Sequence, residues 1–194
     1  MSTSTPAVQG ESSIPSSALS ALTAALQQFQ CSAESKLVSS TKHSYVYHSH
    51  SRLFARDIAI KLLLTENIPE HVVKKFVARE LIVVRSVDHP HLLKALDVAV
   101  HGNVIIIAMP FCAGGHLLNA LKQKGKFSEL QTARIFRQVV EAIGYLHSRN
   151  VAHRDVKLEN ILFTDQGDVK LIDYGFAIPM PNGRRRARSQ CGTK

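Results

Sequence analysis

The spacing of apolar residues changes character along the chain. Residues 1–36 are rich in Ser, Thr, Ala and Gln with few charges, and the first part of this stretch is too polar to fold by itself. Ala18 to Gln30 fits a short helix, but an Ala-rich segment of that length is marginal alone, so a disordered or weakly helical, solvated tail is expected. From Leu37 the signals are those of strands. Ser44 to Tyr47 and Asp57 to Leu64 are β-branched or apolar runs, and Ile58, Ile60 and Leu62 alternate with Ala59, Lys61 and Leu63. That alternation puts Lys61 on the face of Ala59. Pro69 then opens a helix whose apolar stripe is Val73, Phe76, Val77, Leu81, Val84 and Val87. Glu80 falls on or beside that stripe, where a carboxylate needs a partner. Leu96–Val100 and Val104–Met109 read as a hairpin turning at His101-Gly102.

Beyond Gly115 the period is helical. His116 to Lys122 is one short helix. Ser128, with Gln131 three residues on, is a capping box that opens a longer helix carrying Phe136, Val139, Val140, Ile143 and Leu146. Val169–Ile172 is a short strand before Asp173. Strands first and helices afterwards predict an α+β, two-lobed plan. No internal repeat is visible.

Composition narrows the class. Hydrophobic residues make up 45% of the 194-residue chain and charged residues 20%, enough to bury a core. No apolar run reaches the length of a membrane span, and no charged-then-apolar leader opens the chain, so an intracellular, cytoplasmic protein is expected, with no membrane partner. Cys31, Cys112 and Cys191 are odd in number and far apart, which fits free thiols in a reducing compartment. The formal net charge of +9 points to acidic partners. Its densest run, Arg184 to Arg188, reads as a nuclear-import patch, a nucleic-acid contact, a docking site for phosphate or acidic peptide, or simply a solvated charged stretch. No aromatic residue interleaves with the arginines, which argues against single-stranded nucleic acid.

The chemistry concentrates in His153-Arg154-Asp155-Val156-Lys157-Leu158-Glu159-Asn160 and, thirteen residues after Asn160, in Asp173-Tyr174-Gly175. Two carboxylates, a lysine and a carboxamide at this spacing suit a Mg-nucleotide site. One acid takes a hydroxyl proton, the other acid and the amide hold metal, and the lysine neutralises a moving phosphoryl group. The bland reading of the same residues is a charged loop before an ordinary hairpin.

These motifs resemble the catalytic loop and metal-binding turn of eukaryotic protein kinases, and the resemblance runs from about Leu37 to Lys194. Lys157 is the serine/threonine-kinase form of the loop. Met109-Pro110-Phe111-Cys112-Ala113-Gly114-Gly115 resembles the hinge between the two kinase lobes, and Cys191-Gly192-Thr193 resembles the start of the substrate-docking segment. Lys75-Phe76-Val77-Ala78-Arg79-Glu80-Leu81, with His89-Pro90-His91, resembles the calmodulin-dependent kinase group, with the testis-specific serine kinases a plausible branch.

The resemblance implies a small lobe over 37–109, a hinge over 110–115, and part of a helical lobe over 116–194 that ends in the activation segment, with the family's large lobe continuing further. It implies ATP and Mg²⁺ as cofactors and a protein or peptide substrate. Asp155 becomes the catalytic acid that orients or deprotonates the hydroxyl, and Lys157 stabilises the transferring phosphoryl. Asn160 and Asp173 become the metal ligands. Lys61 pairs with Glu80, nineteen residues later, and points at the α- and β-phosphates. Adenine lies between Leu37, Val46 and Ala59 above and Leu162 below, with Met109 as gatekeeper. The Pro110 carbonyl and the Cys112 N–H face its edge, and proline is tolerable at the first of these positions because only its carbonyl is needed. Arg154 matches the arginine that clamps a phosphorylated activation loop, Ser189 is a weak match to the phosphorylated residue, and Thr193 contacts the catalytic acid.

Two departures stand out. The family's three loop glycines fall on Ser39, Thr41 and Ser44, and no glycine occurs between Gly10 and Gly102. Glycine allows positive φ and close approach of backbone N–H groups to phosphate, so weaker nucleotide handling is expected, softened by small serines and by Lys42. Tyr174 replaces the usual phenylalanine, a mild change if its hydroxyl finds a partner. The continuation of the family's large lobe also predicts apolar surface facing water under Phe136, Ile143 and Leu162. The leading reading is therefore an ATP- and Mg-dependent serine/threonine protein kinase. The rival is a pseudokinase or interaction module, and a small-molecule kinase comes third. Oligomeric state is not legible.

Overall fold

Period-two alternation in Asp57–Leu64 organises the first layer. The computed structural model describes residues 14–32, 34–66 and 78–180, the side chains of residues 78–80 excepted. Strands β1 (Lys36–Thr41), β2 (Ser44–Ser51), β3 (Arg56–Leu64), β4 (Asp97–His101) and β5 (Val104–Pro110) form one antiparallel sheet in the order β1-β2-β3-β5-β4. On β3, Ile58, Ile60, Leu62 and Leu64 are buried while Ala59, Lys61 and Leu63 are half-buried. Val46 pairs with Lys61, and Ala59 with Met109. Opposed residues of antiparallel strands share a face, so Val46, Ala59, Lys61 and Met109 lie together on the side away from the buried isoleucines.

A helix covers those isoleucines, which corrects the expectation of a solvated tail. Helix α1 (Ser16–Gln28) buries Ala18, Ala21, Leu22 and Ala25, and Phe29 just beyond it is fully buried. They form one core with Tyr45, Tyr47, Ile58, Ile60, Leu62, Val104, Ile106 and Ala108. No side chain caps its N-terminus, so tertiary packing holds this helix rather than propensity. Alanines every third or fourth residue let it lie close to the sheet. Gln30, at φ 50°, ends it, and backbone bonds from Ser32 N–H to the His50 carbonyl (3.0 Å) and from Arg52 N–H to the Gln30 carbonyl (3.1 Å) tie the exit to β2. The small lobe thus begins before residue 37.

The second core joins the lobes. Helix α2 (Ala78–Ser86) contributes Val83 and Val84, and Val87 follows it. The rest of that expected helix, from Pro69 through Val73, Phe76 and Val77, and the Glu80 side chain lie outside the described residues. After the hinge come β6 (Gly115–His116), α3 (Leu117–Lys124), α4 (Glu129–Ser148), β7 (Val151–Ala152), a 3₁₀ turn over Leu158–Asn160, β8 (Ile161–Phe163), β9 (Val169–Leu171) and β10 (Ile178–Pro179). The capping box forms: Ser128 Oγ accepts the Gln131 N–H, and Gln131 Oε1 accepts the Ser128 N–H, each at 3.2 Å. Helix α4 buries Val139, Ala142 and Leu146 against Ile161, Val169 and Leu171. Its outer positions differ from the expected stripe, with Phe136 69% and Val140 48% exposed. Ile143 and Leu162, also expected to face water, are half-buried. The plan is the α+β, two-lobed one that the element order predicts.

Candidate active site

The segment before β8 is built around a buried imidazole. His153 is 2% exposed; its Nε2 donates to the Ile172 carbonyl at 3.0 Å, and its Nδ1 accepts the Asp155 N–H at 3.3 Å. Those two partners fix a neutral ring protonated on Nε2. Burial pushes its pKa below the usual histidine value, although the charges of Asp173 and Asp155 both pull the other way. The ring also stands edge-on to Tyr174, centroids 5.7 Å apart.

Asp155 is buried, 5% exposed, and its carboxylate is held from two directions. Asn160 Nδ2 donates at 2.8 Å to both Oδ2 and the main-chain carbonyl of Asp155, and Lys157 Nζ lies 3.1 Å from Oδ2. The main-chain carbonyl of Asn160 in turn accepts the Ile172 N–H at 2.9 Å, so the strand leading to Asp173 is tied to the residue that orients Asp155. With two acceptors around Nδ2, the amide orientation is settled, and Asn160 Oδ1 is turned away from Asp155.

Strain marks the same loop. Arg154 and Asp173 adopt φ of 70° and 67°, a region that costs a bulky side chain about 1–3 kcal/mol. Arg154 Nε donates at 2.7 Å to the Phe176 carbonyl, and Gly175 N–H donates to Asp173 Oδ1 at 3.2 Å. These bonds hold the Asp173 turn against the catalytic loop. Tyr174 is 1% exposed and its hydroxyl reaches the Leu93 carbonyl at 3.1 Å and the Leu171 carbonyl at 3.2 Å. The hydroxyl that the usual phenylalanine lacks has therefore found partners. Leu93 N–H also donates to the Leu171 carbonyl, and Leu171 N–H to the His91 carbonyl, so β9 is stitched to the segment between α2 and β4.

Above this loop, Val46, Ala59, Lys61 and Met109 share the sheet face already described. Leu37 does not join them by register. A bulge at Val38 sets Leu37 opposite Tyr47, whose ring is buried on the other face, and brings Ser39 opposite Val46. Sequence counting could not see that one-residue shift. At the hinge, Phe111 N–H donates to the Asp57 carbonyl at 3.1 Å. Ladder bonds alternate, so Pro110 falls between rungs and neither its missing N–H nor its carbonyl is needed by β3. Cys112 is buried, which raises its thiol pKa, and its N–H makes no hydrogen bond among the described residues. Gly114 N–H bonds the Phe163 carbonyl at 3.1 Å, and a Cβ at Gly114 would sit 2.5 Å from Phe163 Cβ, so the hinge meets β8 only with glycine there. Leu162 lies opposite His116. Ser189, Thr193 and the Arg184–Arg188 run lie outside the described residues.

The site thus brings Lys157 and Asn160 into direct contact with Asp155, and Asp173 follows the Ile172 that bonds the Asn160 carbonyl. Sequence reasoning passed over His153 as a support for Asp155, and over Leu93 as the anchor for Tyr174. The signal for His153 was its place two residues before the acid. Among the described residues no group of three His, Cys, Asp or Glu side chains is arranged to hold a metal. A cavity of about 510 Å³ lined by Ala120, Phe127, Ile135 and Phe163 contains none of the expected site residues.

The Protein kinase domain family matches residues 34–194 of the chain, which includes every residue of this constellation. The chain belongs to the protein kinase family. The chain is similar to proteins named serine/threonine-protein kinases. It is 34% identical over 162 residues to mouse (Mus musculus) testis-specific serine/threonine-protein kinase 3, covering 81% of this chain and 59% of that protein. It is 32% identical over 160 residues to CBL-interacting serine/threonine-protein kinase 13 of Arabidopsis thaliana, covering 81% of this chain and 32% of that protein. Calcium-dependent protein kinase 5 of Plasmodium berghei is 36% identical over 118 residues, 59% of this chain and 21% of the relative. The kinase chain therefore spans only part of the length of the relatives it matches. No helix among its described residues is long and apolar enough to cross a membrane.

Proposed function

We propose that this kinase transfers a phosphoryl group from MgATP to serine or threonine hydroxyls of protein substrates. The observation that carries the reading is the buried Asp155 carboxylate, held by the Asn160 amide and the Lys157 ammonium. A carboxylate so fixed can accept a hydroxyl proton without first reorganising. Lys157 keeps its cation at the edge of the site, 28% exposed, where it can meet an incoming anionic group. Little covalent work falls to the protein in this reaction; positioning and charge neutralisation supply most of the rate.

The donor set fits the metal. Asn160 Oδ1 and the Asp173 carboxylate are hard oxygen ligands, and Mg²⁺ characteristically takes one or two protein oxygens and fills the rest of its shell with water and phosphate. Two such donors are enough. MgATP, when bound, supplies the transferable γ-phosphoryl group. Lys61, on the face of Ala59 and Val46, is the cation for its phosphates, and the Pro110 carbonyl and Cys112 N–H are the polar groups for its base.

Asp155→Asn tests the role of the acid. The amide keeps the shape and can accept from Lys157 and Asn160, so folding and nucleotide affinity should persist. Phosphate transfer to peptide substrates should fall by about 10²–10⁴-fold, the usual worth of a general base. Equal transfer by the variant and its parent rules out the assigned role.

A second reading, a pseudokinase or interaction module, is favoured by one observation: the β1–β2 hairpin holds no glycine. A thermal-shift measurement with MgATP separates the two. Ligand at a hundred times its dissociation constant should add about 2.7 kcal/mol of stability. A folded chain that gains nothing is the rival.

A further inference from the structure

The same glycine-free hairpin has a second property. Thr41 pairs with Ser44 and Ser39 with Val46, while Val46 pairs with Lys61 and Ser44 with Leu63. Directly opposed residues share a sheet face, as do residues two apart on one strand. Ser39, Thr41 and Ser44 therefore stand on the face of Val46, Ala59 and Lys61. Ser40, opposite Tyr45, stands on the other. The hydroxyls thus occupy the cleft side of the sheet, in the rows of Lys61 and Leu63.

Four further facts say what they are suited to hold. No residue from Lys36 to Ser51 has positive φ, so the hairpin lacks the alternating handedness that makes a nest of backbone N–H groups. Thr41 Oγ1 and Ser44 Oγ are 2.8 Å apart; one donates to the other, and the acceptor keeps its own proton for a ligand. No acidic residue lies between Glu34 and Asp57, and Lys42 sits at the turn. The tip is also pinned, since the His43 carbonyl accepts the Leu64 N–H at 2.9 Å.

We propose that Ser39, Thr41 and Ser44 form a hydroxyl ladder that binds the oxyanions of a nucleotide triphosphate through side-chain O–H donors in place of backbone N–H groups. The inference rests on the nucleotide-binding reading above. Its test is calorimetric binding of MgATP and of adenosine to the parent and to the combined variant Ser39→Ala, Thr41→Ala, Ser44→Ala. Ser39 and the one free O–H of the Thr41–Ser44 pair make two donors, and hydrogen bonds to charged acceptors are worth about tenfold each, so the variant should bind MgATP roughly a hundredfold more weakly. Its affinity for adenosine should not change. The conservative exchange Ser39→Thr, Thr41→Ser, Ser44→Thr should restore MgATP binding. Unchanged MgATP affinity in the alanine variant, or an equal loss for adenosine, overturns the ladder and leaves the kinase reading standing. A parent that binds adenosine and MgATP with equal affinity, or binds neither, overturns both.

Discussion

Phe29→Ala decides whether α1 is part of the catalytic domain or an ornament on it. The ring is fully buried, packs 5.9 Å from Phe54 centroid to centroid, and belongs to the core of the five-stranded sheet. Removing it forfeits the transfer free energy of the lost carbons and leaves a cavity, a sum of about 3–5 kcal/mol for buried Phe→Ala changes. A domain of this size holds only about 5–15 kcal/mol in total, so the loss is readable in a urea titration. Leu19→Ala is the control: Leu19 is on the same helix but 48% exposed, and surface changes usually stay within about 0.5 kcal/mol. The effect should also be local. Ile60 under α1 and Lys61 over the cleft are neighbours on β3, so amide exchange in β3 and β5 should quicken in the variant before that in α4. A Phe29→Ala cost no larger than that of Leu19→Ala would mean α1 does not dock in solution, and the correction to the solvated-tail expectation would fail.

Two further perturbations follow from the loop. The His153 pKa is depressed by burial, so below the ordinary histidine value of about 6.5 the unfolded chain binds a proton that the folded chain refuses. Stability is therefore intact above that pH and is lost as pH falls through the window beneath it, by up to about 1.4 kcal/mol per pH unit. His153→Phe keeps the ring beside Tyr174 but strands the Ile172 carbonyl and the Asp155 N–H, at about 2–4 kcal/mol near neutral pH. In urea titrations without divalent metal, the gap between parent and variant should narrow from pH 7.5 to 5.5. A constant or widening gap refutes the neutral-ring assignment. Tyr174→Phe removes only the hydroxyl bonded to Leu93 and Leu171, and should cost about 1 kcal/mol in the same assay with nucleotide affinity unchanged.

Much of this was legible in the residues alone because the signals were strong and local. Alternation in Ile58–Leu63 set the face of Lys61, and Ser128 with Gln131 set the start of α4. The spacing of Asp155, Lys157, Asn160 and Asp173 picks out the loop in which Lys157 and Asn160 hold the Asp155 carboxylate. What escaped depended on partners distant in sequence. The stripe Ala18, Ala21, Leu22, Ala25, Phe29 has helical spacing, yet alanine buries so little area that its pattern is faint until a sheet is placed beneath it. The bulge at Val38 moves Leu37 off the expected face by a single residue, which no periodicity in a six-residue strand can reveal. The exposure of Phe136 was anticipated from the family's larger lobe, not from its own stripe, which taken alone predicts a buried face.

The strained residues connect these scales. Arg154 and Asp173 hold positive φ on either side of β8 and β9, and each is fixed by hydrogen bonds to main chain of the other's segment or its own turn: Arg154 to Phe176, Asp173 to Gly175. A backbone in that region persists only where its surroundings over-determine it. Here the surroundings are Asn160 bonded to both Asp155 and Ile172, and His153 bonded to the same pair. Asp155 and the strand that delivers Asp173 are thus clamped twice, by the His153 ring and by Asn160, whose amide holds Asp155 while its main-chain carbonyl holds Ile172. Both side chains hold Asp155, His153 through the Asp155 N–H and Asn160 through the Asp155 carboxylate, while the Asn160 carbonyl keeps Ile172 whatever its side chain, so changes at His153 and Asn160 should couple by about 0.5–3 kcal/mol in a mutant cycle read by stability. Additive losses would mean that the acids are held apart from this network.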